Sequence, residues 1–162
     1  MPQAIRRSSP GRRCALTLIS CIFMSAIVCA APTQIQNATA QIRSVLREQQ
    51  EAWNRGDIDG FMNGYARSRS TVFVSDDTIR RGWETVRARY RKKYSDRAKM
   101  GKLSFSEIEV TMLSPDTAVV LGRWWLKHTN DEPHGRFTLI FNRLPEGWRI
   151  VHDHTSAAPA PR

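Results

Sequence analysis

The stretch from Gly147 to Ser156, GWRIVHDHTS, sets His152, Asp153 and His154 in a row, three side chains able to move protons or bind a metal. Read as a strand, it puts Trp148, Ile150, His152 and His154 on one side, with Arg149, Val151, Asp153 and Thr155 on the other. The triplet is then split between two chemistries. If the second side lines a cavity, Asp153 is a pocket carboxylate whose burial would raise its pKa into the range of a general base. The competing reading pairs Asp153 with Arg123 or Arg136 as ordinary strand-end charge. His152 and His154 have a spacing that zinc or iron sites on strands use. A third ligand would have to come from elsewhere, and nothing in the spacing of His128 and His134 brings them near. Hydrogen bonding, at a subunit face or to backbone, is the expected role of these histidines, and no metal is expected.

Other residues could bind a ligand. Arg123 and Arg136 fall on adjacent expected strands and, with Trp125, Thr138, Tyr65 and Thr155, could line a pocket that grips a carboxylate or other anion through a guanidinium fork. The alternative is cross-strand and surface charge. Asp76 and Asp77 could offer oxygens to calcium, although adjacent acids of this kind more commonly form a turn. The run RARYRKKY raises nucleic-acid binding, because clustered cations interleaved with tyrosine can hold phosphates and stack bases. A solvated helix face is the preferred reading, and no nucleic-acid partner is expected. With no nucleophile elbow, phosphate loop, dinucleotide fingerprint or haem motif, no organic cofactor is expected either.

The elements that must position these residues can be read in order. TQIQNATAQIRSVLREQQEAWNRGD, from Thr33, spaces Ile35, Ile42, Val45, Leu46 and Trp53 as an amphipathic helix. Gly56 stops it, Asp57 is a suitable N-cap, and Ile58, Phe61, Met62 and Tyr65 share one side of a short second helix weakened by Gly60 and Gly64. STVFVS, the Asp76-Asp77 turn and Thr78-Ile79-Arg80 form a hairpin. WETVRARYRKKY is a third helix, and four longer strands follow as an antiparallel meander. Helices followed by strands argue an α+β domain with helices packed on one side of a curved, mostly antiparallel sheet. FTLIF is apolar on both faces, and Trp124 and Trp125 point opposite ways, so something must cover the second face. A homodimer through that outer surface is the expected solution.

Residues 1–30 form a separate segment. Arg6, Arg7, Arg12 and Arg13 precede the apolar run Ala15 to Ala30, a signal-peptide pattern that predicts a mature chain starting at Ala31 and located in the periplasm or secreted. Retention as a membrane anchor and lipidation at Cys21 are the alternatives, and the paired arginines permit twin-arginine export. No membrane insertion is expected once the segment is cut. All three cysteines, Cys14, Cys21 and Cys29, lie within it, so the remainder holds no disulfide, thiolate site or cysteine nucleophile. Its removal takes four arginines and no acids, reducing the net charge from +10 to +6. The expected domain spans 31–156, with a loose tail at 157–162.

EAWNRGDIDGFMNGY, TVFVSDDTIRRGWETVRARYRKKY, AVVLGRWWL, GRFTLIF and GWRIVHDHTS, in this order, resemble the SnoaL-like group of the nuclear-transport-factor-2-like superfamily, which includes a bacterial domain of unknown function. The resemblance covers Ile35 to Ser156. It implies a ketosteroid-isomerase-like cone with an internal pocket, usually in a dimer, on a fold that hosts isomerases, hydrolases, dehydratases and non-enzymatic scaffolds. The terminal string is also similar to the association domain of calmodulin-dependent protein kinase II, which implies that the Asp153 face looks into the cone. That domain carries a pocket arginine where this chain has Thr155. The expected function is therefore a small-molecule pocket, for a hydrophobic or anionic ligand, with Asp153 as general base. The alternative is a non-catalytic ligand-binding or scaffolding dimer.

Overall fold

The computed structural model describes residues 31–159, so the expected signal segment lies outside the described residues. Helix α1 (Ala31–Arg55) buries Ile42, Leu46, Ala52 and Trp53 along one stripe, following the helical spacing of its apolar residues. Gly56 ends it with φ at +86°, a left-handed conformation that a side chain would disfavour. Asp57 then caps α2 (Ile58–Met62) by accepting the Gly60 N–H at 2.7 Å. The hairpin is β1 (Val72–Ser75) and β2 (Thr78–Arg81), and α3 (Trp83–Lys93) buries Trp83, Val86 and Tyr90.

A one-turn helix, α4 (Arg97–Met100), was not expected from the sequence; Asp96 caps it by accepting the Lys99 N–H. The four long strands follow: β3 (Lys102–Ser114), β4 (Thr117–Lys127), β5 (His134–Leu144) and β6 (Gly147–Thr155). They form the expected meander within one six-stranded sheet of order β2-β1-β6-β5-β4-β3. The fold is α+β, helices followed by a curved open sheet. The sheet is mixed, because β1 joins β6 in parallel, with Phe73 opposite Asp153. That junction brings the hairpin, and through it α3, to the end of β6 that carries the acid.

Helix α1 also covers the free edge of β3. Asn54 both donates to the Leu103 carbonyl and accepts its N–H, at 2.9 and 2.8 Å, while Gln50 accepts the Phe105 N–H and Arg43 donates to the Ile108 carbonyl. These bonds satisfy an edge that would otherwise template association.

Simple alternation fails on β6. Ile140 pairs with His152 and Phe141 with Ile150, leaving Val151 as an extra residue in a β-bulge. Trp148, Ile150 and Asp153 are consequently all buried on the inner side, while His152 and His154 face outward. The expected separation of Asp153 from Trp148 and Ile150 is thus corrected by one inserted residue. The chain beyond Thr155 stays on β5 as far as Ala158, whose N–H donates to the His134 carbonyl at 2.8 Å.

Candidate active site

Between the helices and the inner face of the sheet lies a cavity of about 140 Å³. Trp53, Phe61, Phe73, Phe105, Trp124 and Phe137 supply aromatic wall, and Asp153 is its buried carboxyl group. Three short stretches bring the polar groups together. Segment 64–66 lies beside β6, with the Ile150 N–H donating to the Gly64 carbonyl and the Ala66 N–H donating to the Ile150 carbonyl, both at 2.9 Å. This backbone pairing sets Tyr65 so that its hydroxyl donates to Asp153 Oδ2 at 2.6 Å. Gly64 also leaves room for Gln49, since a Cβ there would come within 2.4 Å of the Gln49 side chain. Gln49 in turn donates to the Phe61 carbonyl at 2.9 Å.

From α3, the Tyr90 hydroxyl approaches that of Tyr65 at 3.5 Å, the outer limit of a hydrogen bond. Asp153 Oδ1 is buried and has no hydrogen-bond partner among the described residues. Burial pushes the Asp153 carboxyl up to about 7, although the Tyr65 hydrogen bond and the charge of Arg89 pull the other way. Burial also raises Tyr65 well above the ordinary tyrosine range and raises Tyr90, each reinforced by the Asp153 charge. Both hydroxyls therefore stay protonated at any working pH. The site couples a carboxyl poised at neutrality to two permanent donors.

The residues singled out in the sequence divide between the two faces of the sheet. Asp153, Tyr65 and Thr155 line this cavity. Arg123, Trp125, Arg136 and Thr138 do not; they belong to the outer face, because Gly122, Trp124 and Phe137 take the inward positions of β4 and β5. A bulge between Ser106 and Glu109 lets Glu107 meet Arg136 at 2.6 Å and Arg123 at 3.5 Å. The two arginines thus have an acid of their own, and neither forms a salt bridge to Asp153. Trp125 stacks on His134 with ring centroids 4.4 Å apart. Thr138 is exposed. Among the described residues no three metal-ligating side chains converge.

Reading the basic run as a solvated face missed two lining residues, Arg89 and Lys93 of α3. One signal was available. Lys93 follows Trp83, Val86 and Tyr90 at the i+10 position, where an amphipathic helix would normally continue its apolar stripe.

The cavity, its helices and the sheet around it can be set beside known proteins. A family model described as a SnoaL-like domain matches residues 42–161. The chain belongs to the SnoaL-like family. An NTF-2 like protein of unknown function from Shewanella oneidensis MR-1 is 42% identical, with a TM-score of 0.70 over 73% of this chain and 98% of that one. A cystatin-like fold protein from Burkholderia xenovorans LB400 is 24% identical, with a TM-score of 0.61 over 77% and 95% of the two chains. A candidate scytalone dehydratase from Novosphingobium aromaticivorans DSM 12444 shares 7% identity, with a TM-score of 0.68 over 79% and 89%. At these identities, the latter two resemblances speak for the SnoaL-like fold alone. No curated protein gives a significant match.

Proposed function

We propose that this SnoaL-like protein is an enzyme of the isomerase, hydrolase or dehydratase type that uses Asp153 as general base on a small carbonyl compound. The observation that carries this reading is the buried Asp153 carboxyl, one oxygen held by Tyr65 and the other unpartnered, inside an aromatic cavity. A carboxyl held near 7 is half ionised at neutral pH, where a base is both available and strong enough to act. In the simplest step, Asp153 Oδ1 takes a proton from the carbon beside a carbonyl. The electron pair of that C–H bond moves to form an enolate, whose oxygen can accept the Tyr90 hydroxyl. Return of the proton to another carbon gives an isomer; expulsion of a β-hydroxyl, protonated to water, gives a dehydrated product.

Carbon–deuterium exchange tests this without knowing the product. Single-ring ketones and keto acids are incubated with the protein in deuterated water, and loss of the α-proton signal is followed by NMR. Exchange should rise with pH, level off above about 7 and fall about 10²- to 10⁴-fold in Asp153→Asn. Exchange no faster than the protein-free blank for every compound, with a folded protein, would sink the base role and leave the ligand-binding module as the reading.

The same proposal includes export and self-association. Support comes from the leader pattern of residues 1–30 and from an outer sheet face that leaves Leu121 47% exposed beside half-buried Val119, Ile140 and Trp125. Among the described residues no helix is long and apolar enough to cross a membrane. Mass spectrometry and sedimentation of the expressed full-length gene product should find a dimer starting at Ala31. A monomer, or a chain retaining Met1, would count against the corresponding half.

A further inference from the structure

We infer that the cavity takes a carboxylate of about single-ring size, its body on the aromatic wall and its anionic group on Arg80, Arg89 and Lys93 at the mouth. This deepens the reading of the cavity as a substrate pocket and rests on it. Size comes first. A cavity of about 150 Å³ is enough for a benzene ring, and this one measures about 140 Å³.

Charge is the second observation. Of the five cations of α3, Lys92 is exposed and the other four divide into two pairs. Arg87 and Arg91 both bind Asp59, Arg87 at 2.7 Å, and so are neutralised locally. Arg89 and Lys93, on the cavity side, form no salt bridge among the described residues. The Arg89 guanidinium lies 4.5 Å from the centre of the Phe73 ring and reaches only a hydroxyl, Ser75 Oγ, at 3.4 Å.

Arg80 does not itself line the cavity but stands beside this pair, close enough for its charge to act on Lys93. It pairs across the hairpin with Phe73, which faces the cavity, and cross-strand partners share a face. Its Nη1 is buried with no hydrogen-bond partner among the described residues. An unpaired buried guanidinium nitrogen is costly, and an anionic oxygen is the group that would satisfy it. Burial, followed by the charge of Arg89, lowers the Lys93 pKa, with Arg80 adding to the effect and Asp76 opposing it. Asp76, at the mouth, is the one acid besides the buried Asp153 among the lining residues, and it offsets a single charge. Arginine forks and an ammonium group facing an aromatic slot fit a carboxylate attached to a ring.

The geometry also orders the ligand. With its carboxylate held at the mouth, the opposite end of the ring points toward Asp153 and the two tyrosine hydroxyls.

The test compares benzoate with its neutral isostere benzamide by isothermal titration calorimetry on the protein purified from expression of the full-length gene, at pH 7.5. Benzoate should bind at least about tenfold more tightly. Arg89→Gln should remove most of that preference while benzamide still binds and the fold, read by circular dichroism, is retained, and Arg80→Gln should reduce it further. Asp153→Asn should keep benzoate binding, because removing a nearby negative charge does not weaken anion capture. Equal affinity for the two compounds, an unchanged preference in Arg89→Gln, or no binding of either would overturn the inference. Proton exchange on neutral ketones surviving such a result would leave the base role of Asp153 standing. Benzoate preference without exchange would remove the base role and keep the anion site.

Discussion

The two faces of one sheet collect the same kinds of residue and do opposite things with them. On the outer face, Arg123 and Arg136 share Glu107, and Trp125 stacks on His134 in partial contact with solvent. On the inner face, Asp153 has no salt-bridge partner, and the cations nearest the cavity have none either. Compensated charge at a surface contributes little and is free to vary. Uncompensated charge next to an aromatic cavity costs stability, and that cost is the physical mark of a place built to receive something else. Composition alone could not separate the two faces.

The sharpest way to break this comparison is Asp153→Asn. If the inner face does proton chemistry, α-proton exchange should fall about 10²- to 10⁴-fold, the range for a lost general base, while ligand binding persists. A variant that exchanges as fast as wild type would make Asp153 another structural charge.

Stability against pH probes the same acid in the absence of ligand. Its folded pKa, about 7, stands above the ordinary aspartate value of 3.8. The stability it contributes is therefore complete below about 3.8 and lost as pH rises through about 7, a change of at most about 4 kcal/mol. Chemical denaturation should show wild type weakening between pH 5 and pH 8 by more than Asp153→Asn does. Parallel profiles would mean that the carboxyl is better solvated than its burial implies.

Tyr65→Phe should have a smaller effect. The Tyr65 hydrogen bond lowers the Asp153 pKa, so its loss should move the midpoint of the exchange profile upward by about one pH unit. A midpoint that stays put would show that the hydroxyl does not act on the carboxyl. The smallest effect belongs to the outer face. Glu107→Gln should leave the denaturation midpoint almost unmoved, because its pairs with Arg123 and Arg136 are largely exposed and screened by solvent, and exchange and benzoate binding should not change. A tenfold change in either would remove the distinction between the faces.

Much of the architecture was legible because it follows periodicity. The apolar stripe of α1, the Asp57 cap and the four-strand meander each repeat a local rule. The site was harder because its geometry depends on two events that alternation does not encode. One is the extra residue at Val151, which turns Asp153 to the same side as Trp148 and Ile150. The other is the parallel pairing of β1 with β6, which brings α3 over the cavity and converts Arg89 and Lys93 from an outward basic run into lining groups. Arg123 and Arg136 stood out in the sequence because they fall on adjacent expected strands, and the structure pairs them directly. Glu107, held in place by its own positive φ of 52°, is what binds them on the outer face.

The parallel junction has a kinetic meaning as well. Tyr65 and Asp153 lie 88 positions apart, and Val72 is paired with His152 across the whole of the intervening meander. Such distant closures come at an entropic cost that local contacts must first offset, and they tend to slow folding. The cavity is therefore expected to form late, and a partly folded chain would display helices and hairpins before it could hold a ligand. Appearance of the acid–tyrosine contact would mark the end of folding, so a ligand of this cavity would act on the finished molecule and slow its opening.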